Sequence, residues 1–216
     1  MANTLRRAGH LLFRIAVWFV AISLIWVVIY RFVPPPITFT MIGNAIEGHP
    51  VTKDWMSLED IDPDMPRAAI AAEDAKFCQH HGFDAEAIEK AYLHNERGGR
   101  IRGGSTISQQ TAKNVFLWQN GGFFRKGLEA WFTLLIEALW GKPRIMEVYL
   151  NVAETGIGTY GVEAGAQRYF DKSAARLSRT EAARMAAALP SPKKRSVTNA
   201  KGFTRRHGPK LSVAPA

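Results

Sequence analysis

The sequence has a single cysteine, Cys78, among 216 residues, which excludes a framework of disulfide bonds within the chain. Between Ile37 and Lys194 it also lacks internal repeats and low-complexity blocks, which argues against a repeat architecture. The length suits one domain with a sizeable core and a short appendage rather than two domains. The fold must therefore be held together by packing.

Acidic residues are few relative to basic ones, 19 against 28, so the formal net charge is +9 at neutral pH. Such a balance indicates an anionic partner, which could be nucleic acid, a membrane surface or a phosphorylated substrate. Charge alone does not choose among these three.

One long apolar run lies near the N-terminus, where Ile15 to Tyr30 contains no charged residue. A bilayer-spanning helix needs about 20 apolar residues, and arginines at its ends can reach the headgroups. Residues 15–33 are therefore predicted to be a transmembrane signal-anchor helix. A cleaved signal peptide is the main alternative, but Pro34 to Pro36 follow the run with no small-x-small cleavage site. A buried helix of a soluble protein is the second alternative.

Basic residues flank this run unequally, with Arg6, Arg7 and Arg14 before it and Arg31 close behind it. The positive-inside rule then predicts that residues 1–14 form a basic cytoplasmic tail and that everything after Pro34 lies outside.

Helical patterns dominate the rest of the chain, which predicts a mainly α domain over residues 61–200. Residues 34–60 are predicted as a linker and lobe entry that begins with a stiff proline spacer, and residues 201–216 as a basic C-terminal tail. One helix is predicted from Arg67 to about Cys78. Further helix starts are predicted at Thr106, Arg125, Pro143, Val162 and Ser178.

Glu73 is the first candidate catalytic residue. Helical spacing would place it on one face with Ile70 and Phe77, so the carboxylate is expected to point inward. Partial burial raises a carboxylate's pKa, which suits a general base near neutral pH. The alternative is a surface glutamate that pairs with Lys76 or Lys90.

The segment that follows Glu73 combines acidic, aromatic, histidine and glycine residues at spacings too irregular for an amphipathic helix. These residues are Asp74, Phe77, His80, Gly82 and Asp84. No cysteine spacing or HExxH pattern accompanies the histidines, which argues against a zinc site.

A glycine-rich loop over residues 98–105 includes Arg100 and Arg102 and can present backbone N–H groups and guanidinium groups to an anion. It has no Walker lysine pattern. Thr106 to Gln109 matches a capping box, and the helix that follows would carry Thr106, Gln110, Lys113 and Asn114 on one polar face. Such a helix start is a candidate pyrophosphate site, and a solvated helix face is the alternative.

Large apolar side chains then flank a polar turn, with residues 116–118 before it and Phe123 and Phe124 after it. They must either pack inside or enter the bilayer interface, and we favour the interface.

Glu129 is the second candidate acid, because it shares the apolar stripe of Phe132 and Ile136, with Arg125 and Lys126 one turn earlier. Two inward carboxylates with cations between them form a constellation that glycosyl transfer uses. Glu147 is a third acid, which could equally brace the fold.

In this order these blocks resemble the five motifs of glycosyltransferase family 51 over about residues 67–192. The first motif corresponds to Glu73 through Gly82 and the second to residues 103–114. The third corresponds to Arg125, Lys126 and Glu129, the fourth to residues 142–151, and the fifth to residues 161–170.

The resemblance implies a mainly α, lysozyme-like glycosyltransferase domain with a small membrane-associated lobe, preceded by one N-terminal transmembrane helix. It implies a peptidoglycan glycosyltransferase of the bacterial inner membrane, with its catalytic domain in the periplasm. Such an enzyme polymerises lipid II into β-1,4 glycan with inversion and releases undecaprenyl pyrophosphate. Lipid II, the growing glycan and membrane lipids are the implied partners, with cell-division or elongation proteins as further candidates and no nucleic acid.

The resemblance also assigns roles to residues. Glu73 becomes the catalytic base, and Glu129 orients the cations or a divalent metal. Such a metal, Mg²⁺ or Mn²⁺ near Glu73 or Glu129, is allowed but not required, and no other cofactor is implied. The substrate-binding residues are Ser105, Thr106, Gln110, Lys113, Asn114, Arg125 and Lys126. The supporting residues are Asp74, Phe77, His80, Gly82 and Glu147.

The sequence departs from the family pattern in three places. Gly165 stands where the family usually has alanine, which should weaken a helix by up to about 1 kcal/mol without affecting chemistry. The C-terminal end does not resemble the family's closing helix. No transpeptidase portion follows, which argues against the bifunctional relatives.

Two other classes of protein fit part of the pattern. A lysozyme-like hydrolase or lytic transglycosylase shares the helical scaffold and the glutamate, but would not need the cationic loop or Arg125 and Lys126. A basic non-catalytic anchor or nucleic-acid-binding domain is supported by the net charge alone.

Overall fold

Helices make up most of the chain in the computed structural model, which describes residues 2–96, 98, 103–119, 121–190, 192, 195 and 197. The helices are α1 Ala2–Phe32, α2 Phe39–Ile46, α3 Asp64–Glu73, α4 Ala85–Glu96, α5 Ile107–Phe116, α6 Gly122–Leu139, α7 Lys142–Val152, α8 Val162–Phe170 and α9 Arg179–Ala188, with a 3₁₀ turn at Ala174–Arg176. The predicted mainly α class is confirmed.

Three very short strands form one small sheet, β1 Thr52–Lys53, β2 Glu154–Gly156 and β3 Thr159–Tyr160. The strand order is β1-β3-β2, with β1 parallel and β2 antiparallel to β3. The chain between β2 and β3 forms a tight hairpin after α7, which fixes the position of Glu154 beside the cleft described below.

The helix α5 lies at the centre of the domain between α6 and α7. It begins as predicted, because Thr106 accepts a hydrogen bond from the Gln109 N–H while the Gln109 side chain accepts from the Thr106 N–H. Such a capping box satisfies two N–H groups that a helix start otherwise leaves unpaired. Ile107 and Ala112 on this helix are fully buried, so its polar face is held against a rigid core.

The helix α1 is long and apolar enough to cross a bilayer over Arg6–Phe32, with a mean hydropathy of 2.5 in its most apolar window. Only 11% of that window is buried, which disfavours the buried helix of a soluble protein. The predicted transmembrane helix therefore fits this element, and its last turns contact α6.

The segment predicted as linker and lobe entry contains both α2 and β1. Thr38 caps α2, and Asn44 on this helix is buried and donates to Glu154 Oε1 and to the Tyr160 hydroxyl oxygen over 2.8 and 2.6 Å. The helix therefore packs on the β2–β3 hairpin. This short helix was not predicted from the sequence, and neither was α4.

The first predicted helix is shorter than expected, because α3 ends at Glu73 and not near Cys78. Asp74 leaves the helical conformation, with φ −159° and ψ 75°, and its carboxylate accepts a hydrogen bond from the Ile107 N–H at the start of α5. The gain of a charged cap on α5 accounts for the early stop. Phe77 still reaches the core, but from a turn.

The predicted helix starts near Arg125, Pro143, Val162 and Ser178 are confirmed within a few residues by α6, α7, α8 and α9. The predicted basic tail 201–216 lies outside the described residues.

The flanking apolar residues of the 116–124 segment divide into two groups. Phe116 and Leu117 are buried, so the prediction of an interfacial position is wrong for both. Phe123 is 97% exposed, Phe124 74% and Trp118 41%, and an interfacial position stays a prediction for these three.

Close packing around Gly165 explains the glycine at this position, which the sequence alone did not indicate. A Cβ added there would lie 2.9 Å from Met185 Cε, 2.9 Å from Thr155 Oγ1 and 3.1 Å from Thr155 Cβ. The close approach of α8 to β2 and α9 therefore requires the missing side chain, and the glycine does more than weaken a helix.

Candidate active site

Glu73 lies at the C-terminal end of α3, with its carboxylate turned toward α5. Its Oε2 accepts a hydrogen bond from Gln110 Nε2 over 2.9 Å, while Oε1 is buried and has no hydrogen-bond partner among the described residues. The inward position predicted for Glu73 is therefore confirmed, although it comes from the end of α3 and not from a stripe shared with Phe77.

Burial is the main cause that raises the pKa of the Glu73 carboxyl, and the negative charge of Asp74 adds to it. The hydrogen bond from Gln110 and the positive charges of Arg195 and Lys113 act in the opposite direction. A carboxylate with a raised pKa and one unbonded oxygen can accept a proton from a hydroxyl placed beside it.

Arg195 and Tyr149 are neighbours of Glu73 that the sequence did not identify. Arg195 lies close enough for its charge to lower the pKa of Glu73, and it donates to the Ala187 carbonyl over 2.9 Å. Tyr149 is buried, and burial together with the charges of Glu73 and Asp74 raises the pKa of its hydroxyl well above the usual value. Both come from distant parts of the chain, so no local pattern could have indicated them.

The predicted cluster of Glu129, Arg125 and Lys126 is present at the start of α6. Glu129 is 2% exposed, its Oε2 accepts from Arg125 Nη1 over 2.8 Å, and its Oε1 pairs with Lys126. Lys113 on α5 belongs to the same electrostatic cluster, because burial lowers the pKa of its ammonium group while Glu129 and Glu73 raise it and Arg125 and Lys126 lower it further. One carboxylate thus holds two cations beside a third.

A recess of about 110 Å³ lies over this cluster, and a cavity of about 290 Å³ opens beside Glu73. Ser105 lines both, and Lys126 Nζ lies 3.5 Å from its hydroxyl. A third and larger cavity of about 670 Å³ is lined by Gln110, Lys113 and Asn114. The predicted polar face of α5 therefore lines two parts of a cleft, and the hydrogen bond from Gln110 to Glu73 links them to the third part.

The large cavity is bounded by α2, which sequence reasoning placed outside the domain. Thr40 of α2 accepts from Gln119 Nε2 over 2.8 Å, and its carbonyl accepts from the Tyr160 hydroxyl over 3.1 Å. Glu154 and Tyr160 of the small sheet complete this wall. Wall residues so far apart in sequence are brought together only by the tertiary fold.

Asp74 and His80 form a hydrogen-bonded pair directly after Glu73 in the chain. His80 Nε2 lies 2.9 Å from both oxygens of Asp74, and the Gly82 N–H donates to His80 Nδ1 over 3.1 Å. Because Nδ1 accepts, the imidazole carries its proton on Nε2 and donates it to Asp74. These hydrogen bonds fix the loop between α3 and α4, which is consistent with the supporting role predicted for both residues.

Gly82 and Thr106 connect the same loop to α5. Gly82 has φ 94°, and a Cβ there would lie 2.8 Å from Thr133 Cγ2, so only glycine fits. The Thr106 hydroxyl donates to the Gly82 carbonyl over 2.7 Å besides capping α5. Thr106 lines the cavity beside Glu73, but its side chain already has two structural partners, and its contact with substrate stays a prediction.

Glu147 lies away from the cavities and pairs with Arg144 over 2.9 Å, consistent with the bracing alternative. Phe77 is covered by Lys142, whose ammonium lies 4.5 Å from the ring centroid and 2.7 Å from Glu137 Oε1. Ser108 on α5 also donates to Glu137. These contacts brace α5, α6 and α7 against one another.

A divalent metal near Glu73 or Glu129 stays a prediction. In the described part of the chain no three His, Cys, Asp or Glu side chains come together as a metal ligand set. Both oxygens of Glu129 already bind cationic side chains, so the residues around it suit an anion better than a divalent cation. The glycine-rich loop's Arg100 and Arg102 lie outside the described residues.

A model of the family described as Transglycosylase matches residues 40–210, a range that begins within α2 and includes Glu73, Glu129 and the helices that carry them. The chain belongs to the transglycosylase family. Its helical domain is accordingly lysozyme-like, as the family resemblance implied.

Several curated proteins are similar to this transglycosylase over most of their length. A biosynthetic peptidoglycan transglycosylase of Caulobacter vibrioides is 54% identical over 97% of this chain and 91% of its own. One of Pseudomonas aeruginosa is 50% identical over 94% of this chain and 90% of its own. One of Xanthomonas campestris is 49% identical over 87% of this chain and 79% of its own.

Proposed function

We propose that this transglycosylase polymerises lipid II into β-1,4 glycan strands for the bacterial cell wall, with Glu73 as its catalytic base. Membership of the family makes the chain a glycosyltransferase of peptidoglycan synthesis. The observation that carries the assignment to Glu73 is its buried carboxylate, whose Oε1 has no hydrogen-bond partner among the described residues, in the wall of the cavity of about 290 Å³.

In this mechanism Glu73 takes the proton of the sugar 4-hydroxyl of an incoming lipid II. The hydroxyl oxygen attacks the anomeric carbon of the growing chain as the bond to its lipid pyrophosphate breaks, so the configuration inverts. The electron pair of the broken bond leaves on undecaprenyl pyrophosphate. The raised pKa of Glu73 suits this proton transfer near neutral pH.

The departing pyrophosphate is assigned to the recess lined by Lys113, Arg125 and Lys126. Cations fixed in advance stabilise negative charge without reorganising as it develops. Glu129 holds two of them in place, so its role in this proposal is to position cations and not to transfer a proton. Ser105, Gln110 and Asn114 line the adjoining cavities and are proposed to position the sugars.

The proposal places α1 across the bacterial inner membrane as a single span, with the N-terminus in the cytoplasm and the catalytic domain in the periplasm. The excess of arginines before the apolar run supports this orientation. An external location also favours a lipid phosphate over nucleic acid as the anionic partner. Cell-division or elongation proteins stay candidate partners.

The test uses the full chain in detergent micelles with labelled lipid II, and the products are sized on a gel. Glu73→Gln keeps the shape of the side chain but cannot accept the proton, so polymer formation should fall by at least about 10²-fold while lipid II still binds. Glu89→Gln on the exposed face of α4 is the matched control and should polymerise normally.

Polymerisation retained by Glu73→Gln would overturn the role of Glu73. Release of short fragments from sacculi by the wild-type chain, without glycan from lipid II, would instead support the hydrolase alternative.

A further inference from the structure

The last third of α1 is packed onto the catalytic domain, although the rest of the helix is exposed. Ser23 and Val27 are almost fully buried, whereas Trp18 is 62% exposed. A flexible tether would not bury one face of its final turns. The contacts of that face show which parts of the domain it touches.

Trp26 reaches two helices at once. Its ring centroid lies 5.3 Å from that of Phe116 on α5 and 6.3 Å from that of Phe132 on α6, and both contacts are edge-to-face. Phe116 and Phe132 themselves stack at 4.5 Å. Aromatic pairs of this geometry add to the stability gained from burial alone.

The two phenylalanines occupy specific places relative to the cleft. Phe116 lies one helical turn after Lys113 on α5, and Phe132 lies one turn after Glu129 on α6. The Trp26 ring therefore contacts both helices that line the cationic recess, α5 with Lys113 and α6 with the Glu129 cluster. A shift of either helix would change the spacing between Lys113 and the Glu129 cluster.

Two indole N–H groups fix this face of α1 along its length. Trp140 donates to the Val27 carbonyl over 2.8 Å, and Trp131 donates to the Ser23 hydroxyl over 3.1 Å. Lipid offers these indole N–H groups no competing acceptor, so both hydrogen bonds are retained. Together they fix the rotation of α1 about its axis and its position along that axis.

Two arginines bind carbonyl groups at the C-terminal ends of α1 and α6. Arg144 at the start of α7 donates to the carbonyls of Tyr30 and Val33 over 2.9 and 3.2 Å, at the C-terminus of α1. Arg31 of α1 donates in turn to the Leu139 carbonyl at the C-terminus of α6. The last carbonyls of a helix lack partners within it, and a cation placed there also interacts favourably with the negative end of the helix dipole.

We propose that α1 is a docked part of the active-site scaffold, in which Trp26 is a positioning residue that sets the distance between α5 and α6. Arg144 and Arg31 hold the end of the helix so that Trp26 stays seated. The inference rests on the proposed pyrophosphate role of the cationic recess, but the docking itself does not.

The test compares Trp26→Ala with Trp18→Ala in the full chain, reconstituted in lipid nanodiscs. Both changes remove an indole from the same apolar helix, so they should affect membrane insertion alike. We expect Trp26→Ala to lower kcat/KM for lipid II by ~10-fold, because small misplacements of binding groups are costly. It should also speed hydrogen exchange in α5 and in the first turns of α6. Trp18→Ala should change neither, and Trp26→Phe, which keeps an aromatic ring, should restore most of both.

If Trp26→Ala does not fold, Arg31→Gln tests the same docking without opening a core cavity, and Arg14→Gln is its control. Wild-type rate and exchange in either docking variant, or equal losses in a variant and its control, would overturn the proposal. A wild-type chain that makes no glycan from lipid II would refute the proposed function, yet the exchange comparison would still decide whether α1 is docked.

Discussion

The Gln110 amide holds one oxygen of Glu73, with Nε2 donating to Oε2 over 2.9 Å. The other oxygen, Oε1, is buried and has no hydrogen-bond partner in the described part of the chain. The hydrogen bond stabilises the charged carboxylate and opposes the effect of burial on its pKa. Gln110 therefore holds the carboxylate in place and lowers its pKa against the larger effect of burial.

Gln110→Ala should move the acid limb of the pH–rate profile to higher pH. The base must be deprotonated to act, so kcat/KM falls as the pH drops through the pKa of Glu73. Without the hydrogen bond that lowers this pKa, the fall begins at higher pH. The measurement is kcat/KM for lipid II across pH, with Gln79→Ala on the exposed loop as control. An unchanged limb would contradict the link between Gln110 and Glu73.

Glu73→Gln should make the folded chain more stable at neutral pH. Folding raises the pKa of Glu73 above its ordinary 4.5, so the folded state binds more protons than the unfolded state between the two values. The free energy of unfolding of the wild type should therefore decline as pH rises through that interval. Each pH unit between the two pKa values is worth about 1.4 kcal/mol.

Thermal unfolding of both proteins in detergent, from about pH 4 to about pH 8, measures this difference. The melting temperatures should separate as the pH rises. A wild type that is the more stable of the two at pH 8 would show that burial does not destabilise the charged carboxylate.

Glu129→Gln should weaken the pyrophosphate site and the fold together. Arg125 and Lys126 would lose the carboxylate that fixes them, so kcat/KM for lipid II should fall by about 10–100-fold. The largely buried Arg125 would also keep its charge without its partner, at a cost of about 1–3 kcal/mol in the free energy of unfolding. Glu59→Gln on the exposed surface is the control, and full activity of Glu129→Gln would refute the positioning role.

Local sequence patterns predicted the parts of the site that lie within one helix. The capping box at Thr106 and the stripe of Glu129 with Phe132 follow from spacing alone, and both are present. For Glu73 the pattern gave the correct direction for the wrong reason. The helix stops at this residue because Asp74 is needed at the start of α5, a long-range demand that no helical periodicity contains.

The missed parts of the site depend on contacts between distant segments. The helix α2 has few residues and no charged stripe, and it is held by Asn44 against Glu154 and Tyr160. Tyr149 was covered by the fourth motif, but only the packing of α7 on α5, whose Gln110 binds Glu73, brings it near that carboxylate. Such neighbours become visible only once the chain is folded.

Gly165→Ala and Gly127→Ala should change stability in opposite directions. Alanine favours a helix over glycine by up to about 1 kcal/mol at both positions. On α6 a Cβ at Gly127 meets nothing within 4 Å, so the substitution should raise the free energy of unfolding by up to that amount.

At Gly165 the new Cβ would lie 2.9 Å from both Met185 Cε and Thr155 Oγ1. The methionine end can move, but Thr155 is buried and its hydroxyl donates to the Thr159 carbonyl over 3.3 Å, so the clash falls on a fixed group. Overpacking of this kind costs about 1–3 kcal/mol, which outweighs the gain in helix propensity. Urea unfolding of the two variants in the same detergent measures both signs. Equal stabilisation by both would mean that the space around Gly165 can expand, and that the alanine usual in the family would fit here as well.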